Sequence, residues 1–134
     1  MIVADTNLVS YLLIEGEHTE AARAVWARDR RWVLPSLWRS EYLNVLATTV
    51  RVKVLKRDEA VSAWRSGVRL FGRSEKEPDG AAVLHAAIDL GISAYDAQFV
   101  VIARELKIPL VTGDRKLLSA CGDLAVSLAD FVRA

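Results

Sequence analysis

Short apolar runs separated by longer stretches of helical spacing constrain this chain most. Ile2-Val3-Ala4, Trp32-Val33-Leu34, Ile108-Pro109-Leu110-Val111-Thr112 and Ala125-Val126-Ser127-Leu128 read as strands. Pro109 stands near the start of its run, where a missing N–H is tolerated. Between the runs lie helical patterns. Asp5, Thr6 or Asn7 caps a short helix through Leu13, and Thr19 to Arg30 places Ala22, Val25 and Trp26 at helical spacing. A long helix is expected from Ser36 to Val54, and another from Glu59 to Leu70 with Asp58 as its cap. Ala81 to Leu90 is helical, with Gly91 where a C-terminal cap belongs. Further helices are expected from Ser93 to Glu105 or Leu106, from Gly113-Asp114 to Ala120, and as a short tail. Phe71 to Gly80 is polar and irregular, with room for one short edge strand. Strands alternating with helices imply a mostly parallel sheet covered on both faces, a three-layer α/β sandwich.

The chain has 134 residues, and no linker, repeat or low-complexity segment interrupts it, so one domain over residues 1–134 is expected. Its apolar share of 52% is enough to build a core and argues against disorder. No apolar run approaches the roughly 18 residues that span a bilayer, and the N-terminus lacks the form of a signal peptide. The single cysteine, Cys121, cannot form an internal disulfide. Together these suggest a cytosolic protein with no membrane contact. A net charge of +1 gives no global field that would draw nucleic acid. Arg51, Lys53, Lys56 and Arg57 fall together without an acid among them. They suit phosphates, and equally suit a solvated helix end whose cations complement the dipole.

Four acids stand in conspicuous places. Asp5 follows the first strand and Asp114 follows Leu110-Val111-Thr112, so both belong to the carboxyl-end rim where open α/β sheets collect ligands. Each also reads as a helix N-cap. Glu41 falls within the stripe Leu37, Trp38, Val45 and Val52, and Asp96 shares a face with Phe99, Val100 and Ala103. A carboxylate on a core-facing stripe is costly unless something compensates it. For Asp96 a capping box with Ser93 is one compensation; for Glu41 it is a buried arginine.

Four inward acids cannot relieve one another, because like charges a few ångströms apart repel by several kcal/mol even at an effective dielectric of about 20. Either some hold protons, with raised and coupled pKa values, or a cation sits among them. A site of carboxylates alone favours a hard ion such as Mg²⁺ or Mn²⁺. His18 and His85 lack ligand spacing to each other or to the acids and read as structural or surface residues. Trp26, Trp32, Trp38 and Trp64 all lie in the first half, where their spacing suits core packing.

Val3-Ala4-Asp5-Thr6-Asn7, Ser40-Glu41 with Asn44-Val45-Leu46, Ser93-Ala94-Tyr95-Asp96-Ala97 and Leu110-Val111-Thr112-Gly113-Asp114 together resemble the ordered motifs of PIN domains, and among them the VapC-type toxins. The likeness covers essentially the whole chain. It implies a parallel sheet ordered 3-2-1-4-5 with helices on both sides. It implies a Mg²⁺- or Mn²⁺-dependent endoribonuclease in which Asp5, Glu41, Asp96 and Asp114 are the acidic positions and Asn7 and Thr112 hold or order the site. It also implies an RNA substrate, a homodimer, and an antitoxin whose C-terminal segment docks on the N-terminal helical half. Thr112-Gly113-Asp114 departs from relatives that carry a bulkier middle residue.

Three other classes are weighed against this. A PIN nuclease acting in RNA processing uses the same site without being a toxin. A phosphotransfer domain with Asp5 as nucleophile wants a second Asp two residues on, where this chain has Asn7, or adjacent acids that are absent. A metal-free binding module leaves Glu41 and Asp96 uncompensated.

Overall fold

The computed structural model describes residues 1–134. Its four strands are β1 (Ile2–Ala4), β2 (Trp32–Val33), β3 (Leu110–Val111) and β4 (Ala125–Val126). Its helices are α1 (Thr6–Leu13), α2 (Thr19–Arg28), α3 (Trp38–Arg51), α4 (Arg57–Phe71), α5 (Gly80–Leu90), α6 (Ala94–Leu106), α7 (Arg115–Cys121) and α8 (Leu128–Arg133). All strand pairs are parallel and the order is β2-β1-β3-β4.

The five-stranded expectation is corrected: a fifth strand is not formed. Ser74-Glu75-Lys76 instead makes one isolated parallel bridge, Leu34 to Glu75, just beyond β2. Leu34 N–H donates to Ser74 O at 3.3 Å, and Lys76 N–H donates to Leu34 O at 2.9 Å. Three polar residues present no apolar side to either layer, so pairing stops after one bridge.

The period-two alternation of β1 builds both layers. Ile2 and Ala4 face a core shared with Leu8, Val25, Trp38, Tyr42, Leu46, Phe71 and Leu128, from α1 to α4 and α8. Val3 faces the other way, onto Phe99, Val100, Ile102 and Ala103 of α6 and Leu117 of α7. Trp32 and Trp38 are fully buried, and Trp26 and Trp64 pack edge-on or tilted against them. The tryptophans are therefore core residues.

Two local expectations are corrected. The buried stripe of α3 is Trp38, Tyr42 and Leu46; Val52 lies past the helix end and is exposed. Helix α4 starts at Arg57 rather than at a cap on Asp58. Glu59 accepts a bond from the Lys56 N–H at 2.8 Å, while Asp58 lies in the first turn, where its charge suits the dipole. The basic cluster straddles the α3–α4 turn: Arg51 ends α3, Lys53 has a φ of 65°, and Lys56-Arg57 opens α4. Gly91 does close α5 in the left-handed region, with a φ of 65°. No single helix is long and apolar enough to cross a membrane.

Candidate functional site

β1 and β3 are neighbours, with Ala4 opposite Val111, so the residues that follow them emerge side by side. Asp5 is only 8% exposed, yet its carboxylate makes no capping bond to α1. Its Oδ2 accepts the Thr112 hydroxyl proton at 2.6 Å. Thr112 Oγ1 in turn accepts from the Asp114 N–H at 2.9 Å. An ionised carboxylate only accepts, so the Thr112 hydroxyl gives its one proton to Asp5 while its oxygen takes the Asp114 N–H. Thr112 thereby ties the two strand ends together. Asp5 keeps the N-cap position of α1, while its one close side-chain bond goes to Thr112. Asp114 does cap, since its Oδ1 accepts from the Lys116 N–H at 2.8 Å, and its other oxygen is left over.

Asp96 and Glu41 come from helices on opposite faces of the sheet. Phe99, Val100 and Ala103 are buried under α6 and hold the first turn, with Asp96, at the rim. Only the forward half of the expected capping box forms: Ser93 Oγ accepts from the Asp96 N–H at 3.0 Å, and the Asp96 carboxylate gives no return bond. Glu41, in the first turn of α3, has no arginine partner. Its Oε1 accepts from the Thr6 hydroxyl at 2.7 Å.

Asp5, Thr6, Asn7, Glu41, Asn44, Val45, Asp96 and Asp114 line one cleft of about 240 Å³. All four acids predicted from the sequence meet there, and exposed Asn7 lines the same wall. None of the four is in an ion pair. Burial pushes the Asp5 carboxyl above its usual range; the Thr112 hydroxyl and the Asn7 backbone N–H partly offset this, and the charges of Asp96 and Asp114 add to it. Glu41 is raised by burial and by Asp5 and Asp96, against the bond from Thr6. Asp96 is raised by burial and by Asp114, and the Ser93 side chain and Lys116 ease it.

Sequence reading missed three residues here. Thr6 orients Glu41, Asn44 lines the cleft one turn along from it, and Lys116 supplies the nearby positive charge. Their signal was position alone: Thr6 beside Asp5, Asn44 three residues after Glu41, Lys116 two after Asp114. His18 and His85 are both exposed and stay out of the cleft.

No three of these side chains are drawn together as a ready-made metal cage. The donors are nevertheless all oxygen and in no ion pair, and Asp5, Glu41 and Asp96 are held at a higher proton affinity than free carboxylates. That set fits Mg²⁺ or Mn²⁺, of which Mg²⁺ takes one or two carboxylates and keeps several waters.

The family model of the PIN domain matches residues 2–123. The crystal structure of PAE2754 from Pyrobaculum aerophilum superposes with a TM-score of 0.77, covering 99% of this chain and 96% of that one at 22% identity. At that identity the likeness speaks for the fold. No curated protein matches the chain. PIN domains are generally metal-dependent nucleases, which agrees with an acidic cleft at the carboxyl ends of parallel strands. The chain belongs to the PIN domain family.

Proposed function

We propose that this protein is a divalent-metal-dependent endoribonuclease acting in the cytosol as the toxin of a VapBC-like toxin–antitoxin pair. The observation that carries the nuclease reading is the convergence of Asp5, Glu41, Asp96 and Asp114 on one cleft with no ion-pair partner. Asp5, Asp96 and Asp114 would hold the ion, with Glu41 as a further ligand or a group that orients water. A bound divalent ion lowers the pKa of a coordinated water and neutralises charge on the scissile phosphate.

The chain's own residues then have separate tasks. Thr112 fixes the carboxylate plane of Asp5, and Thr6 fixes Glu41. Arg115 and Lys116, exposed beside Asp114, offer positive charge to flanking phosphates. The toxin role rests on the motif likeness. Exposed Leu43 and Val61 on α3 and α4 support a protein partner on the N-terminal half.

RNA cleavage by purified protein with Mg²⁺ and with Mn²⁺ tests the activity. Asp5→Asn and Asp96→Asn should lose it while circular dichroism stays native; full activity in either folded variant sinks the assignment. Expression of the wild type alone should arrest growth, and Asp5→Asn should be harmless. Unchanged growth with nuclease-active protein assigns the enzyme to RNA processing instead. A homodimer is also proposed, and light scattering near the monomer mass of 14.8 kDa at high concentration rules it out.

A further inference from the structure

Tyr11 stands one helical turn after Asn7 on α1, on the side that leads away from the acidic cleft. Its phenol lies against the loop between Thr112 and Asp114. A Cβ built on Gly113 would meet the Tyr11 hydroxyl oxygen at 3.4 Å and Cε2 at 3.5 Å. Gly113 has no left-handed φ, so the backbone does not require glycine there. A Cβ there would make ordinary contact with the Tyr11 ring, so what glycine shows at this motif position is how closely the loop and the ring lie together. Gly113 lies between Thr112 and Asp114, so the phenol stands beside the loop that carries Asp114 to the cleft.

The Tyr11 ring is also covered by His18, whose imidazole centroid lies 4.5 Å away at an interplanar angle of 40°. His18 precedes α2 without capping it, and its Nε2 is 3.3 Å from Glu17 Oε1. Its side chain is 53% exposed. The order outward is therefore loop, phenol, imidazole, solvent: a tilted aromatic pair beside the 112–114 loop that ends in a half-exposed imidazole.

We infer that the Tyr11–His18 pair is a stacking platform for an unpaired base flanking the scissile phosphate. This rests on the nuclease reading above. Sequence-tolerant RNA binding uses aromatic faces of this kind, because every base has a π-face to offer. The continuity of the pair with Asn7 and the 112–114 loop favours the substrate strand over a protein partner.

The test uses the intact protein and a short unstructured single-stranded RNA labelled with fluorescein. Steady-state cleavage and fluorescence anisotropy in chelator are read for wild type, His18→Ala, Tyr11→Phe and Gly113→Leu. His18 lies outside the core, so its variant should fold even if changes at Tyr11 do not. Expected is a rise of about tenfold in KM and in the anisotropy Kd for His18→Ala and Gly113→Leu. kcat should stay within about twofold, because uniform binding is what is lost. Tyr11→Phe, which keeps the ring, should keep the anisotropy Kd within about twofold of wild type. Replacing the base at the affected position by an abasic residue should erase the difference between wild type and His18→Ala. Unchanged KM and Kd in folded His18→Ala overturn the platform and leave the pair to a protein contact. A fall in kcat for Tyr11→Phe also overturns it, because the hydroxyl then takes part in the chemistry. If the wild type cleaves no RNA, the nuclease reading fails, and the anisotropy comparison still decides the platform.

Discussion

At the outer edge of β2, Glu75 accepts from Arg39 Nε at 2.7 Å and Nη2 at 3.1 Å, and from the Trp38 indole N–H at 2.7 Å. At the carboxyl ends of β1 and β3, the carboxylates of Asp5 and Glu41 accept from threonine hydroxyls at a similar distance. Both places bury carboxylate oxygen against the same sheet. The outcomes are opposite. The guanidinium and the indole hold Glu75 below the usual carboxylate range. Burial and mutual repulsion hold Asp5, Glu41 and Asp96 above it. The chain carries 18 lysines and arginines, so cations are not scarce. An arginine reaches the edge and none pairs in the cleft. Local rules of charge pairing are obeyed at the sheet edge and broken in the cleft, which is what the proposed metal site requires.

The sharpest way to break this comparison is activity. Asp5→Asn should reduce RNA cleavage by at least ~100-fold, on the scale of mutational losses at metal sites and their supports, while Glu75→Gln leaves kcat within about twofold. A loss of kcat in Glu75→Gln at unchanged stability would join the two sites and void the contrast.

Metal comes next. A divalent ion at about 100 times its Kd should stabilise the wild type by roughly 2.7 kcal/mol, read as a raised thermal midpoint. Asp96→Asn should shrink that gain and raise the midpoint in chelator; Glu75→Gln should do neither. A lowered apo midpoint in Asp96→Asn with an undiminished metal response would reduce Asp96 to a helix-start residue.

Of similar or smaller size is the structural cost at the edge. Glu75→Ala leaves the buried Trp38 indole N–H without its acceptor and should cost about 1–3 kcal/mol in denaturant melts. The Arg39 pair is itself partly exposed, with side chains 36% and 20% accessible, and adds little beyond that after solvent screening. A change below about 0.5 kcal/mol would show that water replaces the carboxylate without loss.

The smallest effect is the pH dependence in chelator. Glu75, with a lowered pKa, contributes stability that is present above its unfolded value of 4.5 and is lost as pH falls through the folded value. Asp5, Glu41 and Asp96, with raised pKa values, bind protons more tightly when folded. Their contribution is present at low pH and is lost as pH rises from 3.8 and 4.5 through the raised values. Apo stability should therefore decline on the alkaline side of the ordinary carboxylate range, and saturating Mn²⁺ should flatten that decline. Melts in chelator that hold steady over that window would show the cleft acids to be well solvated.

By itself the sequence determined the parallel α/β order, the two-faced burial of β1 and the membership of the four acids in one site. These follow from local periodicity and from chain positions that recur at strand ends, both of which survive without knowledge of tertiary contacts. Tertiary structure alone decided how each acid is held. Thr112 reaches Asp5 across 107 residues, and Thr6 reaches Glu41 across 35. No local pattern announces a hydroxyl that will meet a carboxylate through strand pairing. The buried stripe of α3 was misassigned for a related reason: a helix has several apolar spacings, and only the neighbours α1 and α4 select Trp38, Tyr42 and Leu46. The fifth strand was lost because a polar edge segment pairs only as far as Glu75 finds Arg39 and Trp38. The Tyr11 ring beside Gly113 is the same lesson in packing, since only the tertiary fold brings the loop and the ring together.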